Sequence, residues 1–191
     1  LYFGLINGGY TSMVAWLPAY HTEHGGSAQG GADLVGLMTI FQVAGALGLP
    51  LLLRRYADRR PGLWLALAIQ LVGFLGLLLA PTVAPGLWVA LIGFGLGACF
   101  SQCLTLTLEH LQTPAEAGSL AAFVQGIGFI ITGIVPYITG WLRDVSGDFQ
   151  ASWTLLTVTV LAMLWVTTFF NPRGYSAAIA RPATGKAAPV S

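Results

Sequence analysis

Arg54-Arg55-Tyr56-Ala57-Asp58-Arg59-Arg60 gathers four of the chain's eight basic residues into one short stretch. Leu34 to Leu53 before it carries no charge, and no Asp, Glu, Lys or Arg occurs from Pro61 through Leu108 after it. A basic cluster between two long apolar runs marks a loop held on the cytoplasmic side of a bilayer by the positive-inside rule. The composition agrees. Charged residues are 8% and hydrophobic residues 55% of the 191, whereas a soluble domain carries about 25% charged residues. So few charges cannot coat a surface in water, and lipid must be the solvent for most of it.

Crossing a hydrocarbon core of about 30 Å takes about 20 apolar residues in a helix. Six runs qualify: Leu1 to Tyr20, Leu34 to Leu53, Leu63 to Ala80, Leu87 to Leu108, Ser119 to Leu142 and Trp153 to Phe170. The first ends in Trp16-Leu17-Pro18-Ala19-Tyr20, an aromatic belt with a proline stop, and Asp33 is placed to cap the second. The expected fold is an all-α integral membrane protein, with residues 1–172 a bundle of six transmembrane helices. Residues 173–191, rich in Ala, Pro and Gly, are expected to form a disordered cytoplasmic tail.

Parity then fixes sides. The basic loop, the Glu109 to Gly118 connection and the tail fall together and hold seven of the eight basic residues, with Arg143 alone opposite. This predicts a multi-pass inner-membrane protein with a cytoplasmic C-terminus. A chain that opens at Leu1 inside an apolar run is also expected to be part of something longer.

Small residues recur at helical spacing: Gly93, Gly97 and Ser101, then Ala44 and Gly48, with Gly126, Gly128 and Gly133 crowding the fifth run. In lipid, where packing replaces the hydrophobic effect, such stripes let helices approach closely. Pro50 precedes Asp58 by eight residues, as Pro136 precedes Asp144. That echo fits two triplets of helices in inverted topology, the arrangement of transporter halves.

Enzymatic readings fail on geometry. Intramembrane hydrolysis needs a nucleophile and a base together within the bilayer, yet His21, His24 and His110 sit at run ends or in loops. His21-Thr22-Glu23-His24 matches no standard metal spacing and is expected to be a solvated external loop. Glu109-His110 is an ordinary helix-end pair. The glycines of Gly93-Phe94-Gly95-Leu96-Gly97 lie inside a run and serve packing rather than a nucleotide, and Cys99 and Cys103 share one helix side as buried packing thiols. No catalytic residue, metal, cofactor or nucleic-acid partner is expected; the bilayer is.

Polar residues inside the runs are the better lead, because an unpartnered buried amide costs a few kcal/mol. These are Asn7, Tyr10, Gln42, Gln70, Gln102 and Gln125. Asn7 precedes Gly8-Gly9, where a helix can bend and expose backbone. Gln125 shares a face with Ala122, Phe129, Thr132 and Pro136, a stripe suited to lining a cavity. Asn7, Tyr10, Gln42, Gln102 and Gln125 are the candidate substrate-binding residues, with Gln70 ranked last. The same amides would equally serve as hydrogen-bonding glue between helices, as in a membrane scaffold that transports nothing.

Tyr2-Phe3-Gly4-Leu5-Ile6-Asn7-Gly8-Gly9-Tyr10 followed by Ala15-Trp16-Leu17-Pro18-Ala19 resembles the start of the second half of the CynX cyanate transporter family, within the major facilitator superfamily. The resemblance continues through Leu37-Met38-Thr39, Ala44-Gly45-Ala46-Leu47, Asp58-Arg59-Arg60, Gln70-Leu71-Val72-Gly73-Phe74 and Phe123-Val124-Gln125-Gly126-Ile127-Gly128-Phe129-Ile130. It implies the C-terminal six helices, a 3+3 inverted repeat, of a twelve-span transporter working by alternating access. An N-terminal six-helix half outside this chain would be its partner. The implied substrate is a small anion, cyanate; other members of the resemblance imply export of nitroimidazole-type compounds. Asp58, Arg59 and Arg60 would form the gating loop, in which Arg54 stands where the superfamily pattern has a glycine.

Overall fold

The structure, a computed structural model, describes residues 1–53, 60–109 and 114–169. Asp58 and Arg59 of the expected gating loop, His110 and the expected tail lie outside the described residues. Among the described residues, six α-helices follow in order: α1 Tyr2–Glu23, α2 Ala28–Leu52, α3 Arg60–Leu79, α4 Pro85–Glu109, α5 Pro114–Ser146 and α6 Gln150–Thr167. α2 to α6 are each long and apolar enough to cross a bilayer. α1 falls outside that set, its apolarity diluted by Asn7, Tyr10, Thr11 and Ser12. Arg60 and Arg143, the two basic residues described, stand at opposite ends of the bundle, opening α3 and closing α5.

Local chemistry moves several boundaries. α2 starts earlier than expected because Ser27, not Asp33, caps it: the Ser27 hydroxyl accepts from Gly30 N at 2.9 Å. Asp33 lies inside the helix and accepts from Gln29 Nε2 at 2.9 Å. Pro18 does not stop α1. The helix runs on to Glu23, so His21 and Glu23 are helical, and the expected external loop is reduced to a turn at His24 and Gly25. Gly25 supplies the φ of +83° that the reversal requires. Pro85 stands at the first position of α4, where its missing N–H costs nothing. The Asp148 carboxylate accepts from Gln150 N at 2.9 Å at the start of α6.

Helix pairs touch through missing side chains. A methyl group at Gly4 would sit 2.7 Å from Ile131 Cβ and 2.8 Å from the Gly128 carbonyl oxygen, and one at Gly8 would strike Val135. Thr11 Oγ1 donates to the Thr132 carbonyl at 3.0 Å, and Trp16 Nε1 to the Pro136 carbonyl at 2.9 Å. These contacts ascend together along both helices, so α1 and α5 run parallel. α2 and α4 are also parallel: Gly93 abuts the Met38 carbonyl and Gly97 the Gln42 carbonyl, while Gly45 meets the Phe94 carbonyl. α3 packs antiparallel on α4, with Gly62 against Gln102, Gly95 against Gln70, and Gly73 and Gly76 against Trp88. α6 covers α3 and is tied to α5 by Ser152 Oγ donating to the Thr139 carbonyl at 2.6 Å.

The glycine stripes are partly reassigned. Gly93 and Gly97 pack as expected, but Ala44 is exposed and Gly48 faces open space; Gly45 makes the α2 contact instead. Of the glycines crowding α5, Gly128 packs, whereas Gly126 and Gly133 face open space. Cys99 and Cys103 are both buried.

The end opposite Arg60 is closed by aromatic rings. Tyr20 lies 5.2 Å from Trp153 and 6.0 Å from Phe149, and its hydroxyl donates to the Leu77 carbonyl at 2.5 Å, linking α1 to α3. The Arg143 guanidinium sits 5.6 Å over the Phe149 ring.

Candidate functional site

α1 is the helix on which the polar candidates converge. Its glycines give one side to α5, while Asn7, Tyr10 and Val14 lie along a half-buried to exposed face. Asn7 Nδ2 donates to the Phe3 carbonyl at 2.9 Å, which fixes the amide and leaves Oδ1 to accept. Gly8 and Gly9, expected to bend the helix, are both buried in an unbroken α1, against Val135 and Leu96. Their role is close approach.

The registers of the helix pairs set the depth of each candidate. Phe3 meets Phe100 at 5.6 Å and Gly9 meets Leu96, so Asn7 falls level with Gly97. Gly97 abuts the carbonyl of Gln42, so half-buried Gln42 shares that level with Asn7. Tyr10 lies less than a turn further along α1. These three therefore form a tier at one depth.

Gln125 and Gln102 do not join that tier. Gly4 is level with Gly128, so Gln125 is level with the start of α1, about 9 Å from Asn7 toward the Arg60 end at 1.5 Å per residue. Within the expected stripe, Thr132 and Pro136 are engaged with α1. Thr132 is buried, its hydroxyl donating to the Gly128 carbonyl at 2.9 Å, and the Pro136 carbonyl accepts from Trp16; Phe129 and Ala122 are exposed. Gln102 is wholly buried between α4 and α3, with Nε2 against Gly62, and neither of its amide atoms has a hydrogen-bond partner. Gln70 is buried in the same seam against Gly95, with Oε1 unpartnered.

Thr11 was not among the sequence candidates and Thr132 was expected only as part of the Gln125 stripe, yet the Thr11 hydroxyl on the Thr132 carbonyl stitches α1 to α5. Their spacing from the glycines, Gly8 to Thr11 and Gly128 to Thr132, was the available signal.

Among the described residues, helices long and apolar enough to cross a membrane pack with α1 through glycines, and Asn7, Tyr10 and Gln42 stand at one depth. The chain belongs to the Major Facilitator Superfamily, whose family model matches residues 1–133. It is 49% identical over 172 residues to the cyanate transport protein CynX of Escherichia coli (strain K12), covering 90% of this chain and 44% of that protein. It is 29% identical over 164 residues to a 2-nitroimidazole transporter of the same organism, covering 86% of this chain and 41% of the relative. An uncharacterized transporter, YycB of Bacillus subtilis (strain 168), is 29% identical over 168 residues, covering 87% and 40%. The chain thus spans less than half the length of each of these relatives.

Proposed function

We propose that this chain forms six membrane spans of a secondary transporter that moves a small anion, cyanate, across an inner membrane by alternating access. The observation that carries the reading is the tier of Asn7, Tyr10 and Gln42. Three neutral hydrogen-bonding groups share one depth on the uncovered faces of α1 and α2, while the small residues around them are spent on packing. Similarity to a cyanate carrier at 49%, against 29% for the nitroimidazole carrier, favours the small anion over the larger drug.

A partner of six further helices fits the uncovered surface. α2 and α5 are the least covered helices and α4 the most, and α2 and α5 expose rows that include Ile40, Val43, Leu47, Phe123, Ile130 and Tyr137. The reciprocal pairing of α1 with α5 and α4 with α2 is what two inverted triplets produce. In this reading the Arg60 end and the C-terminus are cytoplasmic, and Asp58, Arg59 and Arg60 brace that end as the halves rock. Gln125 stands one level closer to the cytoplasm than Asn7, on the exit path. Gln102, turned into the α3 seam, is the weakest of the site candidates.

Uptake of labelled cyanate into proteoliposomes holding the whole transporter is the test. Asn7→Ala and Gln42→Ala are expected to cut uptake by about tenfold each, the loss of one hydrogen bond to a charged ligand. Wild-type uptake rates in both variants, with normal insertion, refute the site.

A further inference from the structure

We infer that Phe129 is the inner gate of this transport path, an aromatic lid on α5 that closes against a fixed ring on α1. The inference rests on the transporter reading above. Three rings from three helices meet at one depth: Phe3 of α1 lies 5.6 Å from Phe100 of α4 and 5.7 Å from Phe129 of α5, the latter pair edge to face. Phe3 comes four residues before Asn7, so its ring is about 6 Å from the tier toward the Arg60 end, at 1.5 Å per residue. Gln125, one turn before Phe129 on α5, lies further that way. The rings therefore stand between the two polar levels of the path, and an apolar constriction that sheds water stops a small ion.

The three rings are held unequally. Phe3 is 2% exposed, its ring fills the space where a side chain at Gly128 would lie, and its carbonyl accepts from Asn7 Nδ2 at 2.9 Å. It cannot move without α1. Phe100 is half-buried. Phe129, at 57% exposed, touches the cluster from its open side and is the one ring free to leave it.

Gly126 and Gly133 supply the room for that movement. They stand three residues before and four after Phe129, on its own face of α5, and nothing lies within 4 Å of where a side chain on either would begin. An aromatic side chain in a helix has two common χ1 positions, both leaning back over the preceding turn. For Phe129 that turn holds Gly126, which adds no side chain to it, so the ring can swing off Phe3 onto the open side. A side chain at position 133 would itself lean back over residue 129, and glycine keeps the outer side of the ring clear. With the ring against Phe3 the tier is shut off from Gln125; with the ring swung away the anion passes.

Two measurements on the whole transporter test the gate. In the first, Gln42→Cys is labelled from the Arg60 side with a membrane-impermeant sulfonated methanethiosulfonate, and the rate is read above that of the parent protein. Adding Phe129→Ala is expected to speed labelling by about tenfold, because the apolar barrier between the reagent and the tier is gone. In the second, Gly126→Val with Gly133→Val is expected to cut cyanate uptake into proteoliposomes by about tenfold, by pinning the ring on Phe3. Phe129→Ala added to the two valines is expected to restore uptake. Equal labelling with and without the Phe129 ring overturns the gate, and this arm decides alone if the valine variants do not insert. A loss of uptake that Phe129→Ala fails to relieve also overturns it, and would make the two glycines seats for a neighbouring helix. Absence of cyanate uptake by the native protein, with the labelling contrast intact, upholds the gate and refutes the proposed function.

Discussion

Arg143 Nη2 lies 2.7 Å from Glu23 Oε1, joining the last turn of α1 to the last turn of α5 at the end opposite Arg60. Both side chains are partly open to solvent, at 41% and 32%, so the bond acts as a local tie rather than a large source of stability. Glu23→Gln and Arg143→Gln are each expected to lower the melting temperature of the detergent-purified protein slightly, more so at low salt. The reversed pair, Glu23→Arg with Arg143→Glu, should recover part of the loss. Equal losses at low and high salt would show that the pairing of charges is not what holds this corner.

Glycine contacts predict a sharp contrast among substitutions of one type. Gly97→Ala drives a methyl into the Gln42 carbonyl, and Gly45→Ala into that of Phe94, where backbone must move. Overpacking of this kind costs about 1–3 kcal/mol. Gly126→Ala and Gly133→Ala meet nothing within 4 Å and gain helix propensity, so they are expected to be neutral or mildly stabilising. Thermal scans of the four variants side by side decide the matter; equal effects would remove the glycine-mediated packing of α2 on α4.

Gln102 is a buried amide with no partner, and replacing it with an apolar residue of similar volume should help the fold. Gln102→Met is expected to raise stability by about 1–3 kcal/mol, the cost of an unsatisfied buried polar group, and to leave cyanate uptake at the native rate. A drop in melting temperature would mean that the amide is hydrogen-bonded. A drop in uptake with stability intact would return Gln102 to the substrate path.

Tyr20→Phe removes the hydroxyl that reaches the Leu77 carbonyl while keeping the ring against Trp153 and Phe149. The expected loss is about 0.5–1.5 kcal/mol, read as a lower melting temperature. Trp153→Ala, which also removes a buried ring from this aromatic group, should cost about 3–5 kcal/mol. Similar losses for the two would contradict the division between the hydroxyl and the ring stack.

Much of the fold is legible in the residues. The apolar runs, the basic cluster and the near absence of charge between them dictate membrane helices, because lipid offers no other partner for backbone or side chain. Helix ends were less legible. Whether Ser27 or Asp33 caps α2, and whether Pro18 ends α1, depends on local hydrogen bonds that composition does not reveal. The candidate site was legible in residue type and not in depth. Asn7, Tyr10 and Gln42 fall together only because α1 and α2 both register on Gly97, whereas Gln102 differs from Ser101 by the 100° turn that points it at α3. The His21 to His24 stretch reads as a polar loop, since Pro18 hides the continuation of α1 to Glu23.

The parallel seam between α1 and α5 has teeth at equal pitch. Gly4 and Gly8 on one helix stand four residues apart, as do Gly128, Thr132, Pro136 and Gly140 on the other; Gly4 meets Gly128 and Ile131, and Gly8 meets Val135. A slide of one step, about 6 Å, would bring each small residue opposite the next and re-form a similar contact. Trp16 breaks the equivalence. Its ring lies over Gly140 and its N–H is held by the Pro136 carbonyl, so it indexes the rack to a single notch, and a smaller residue there would free α1 to click along α5.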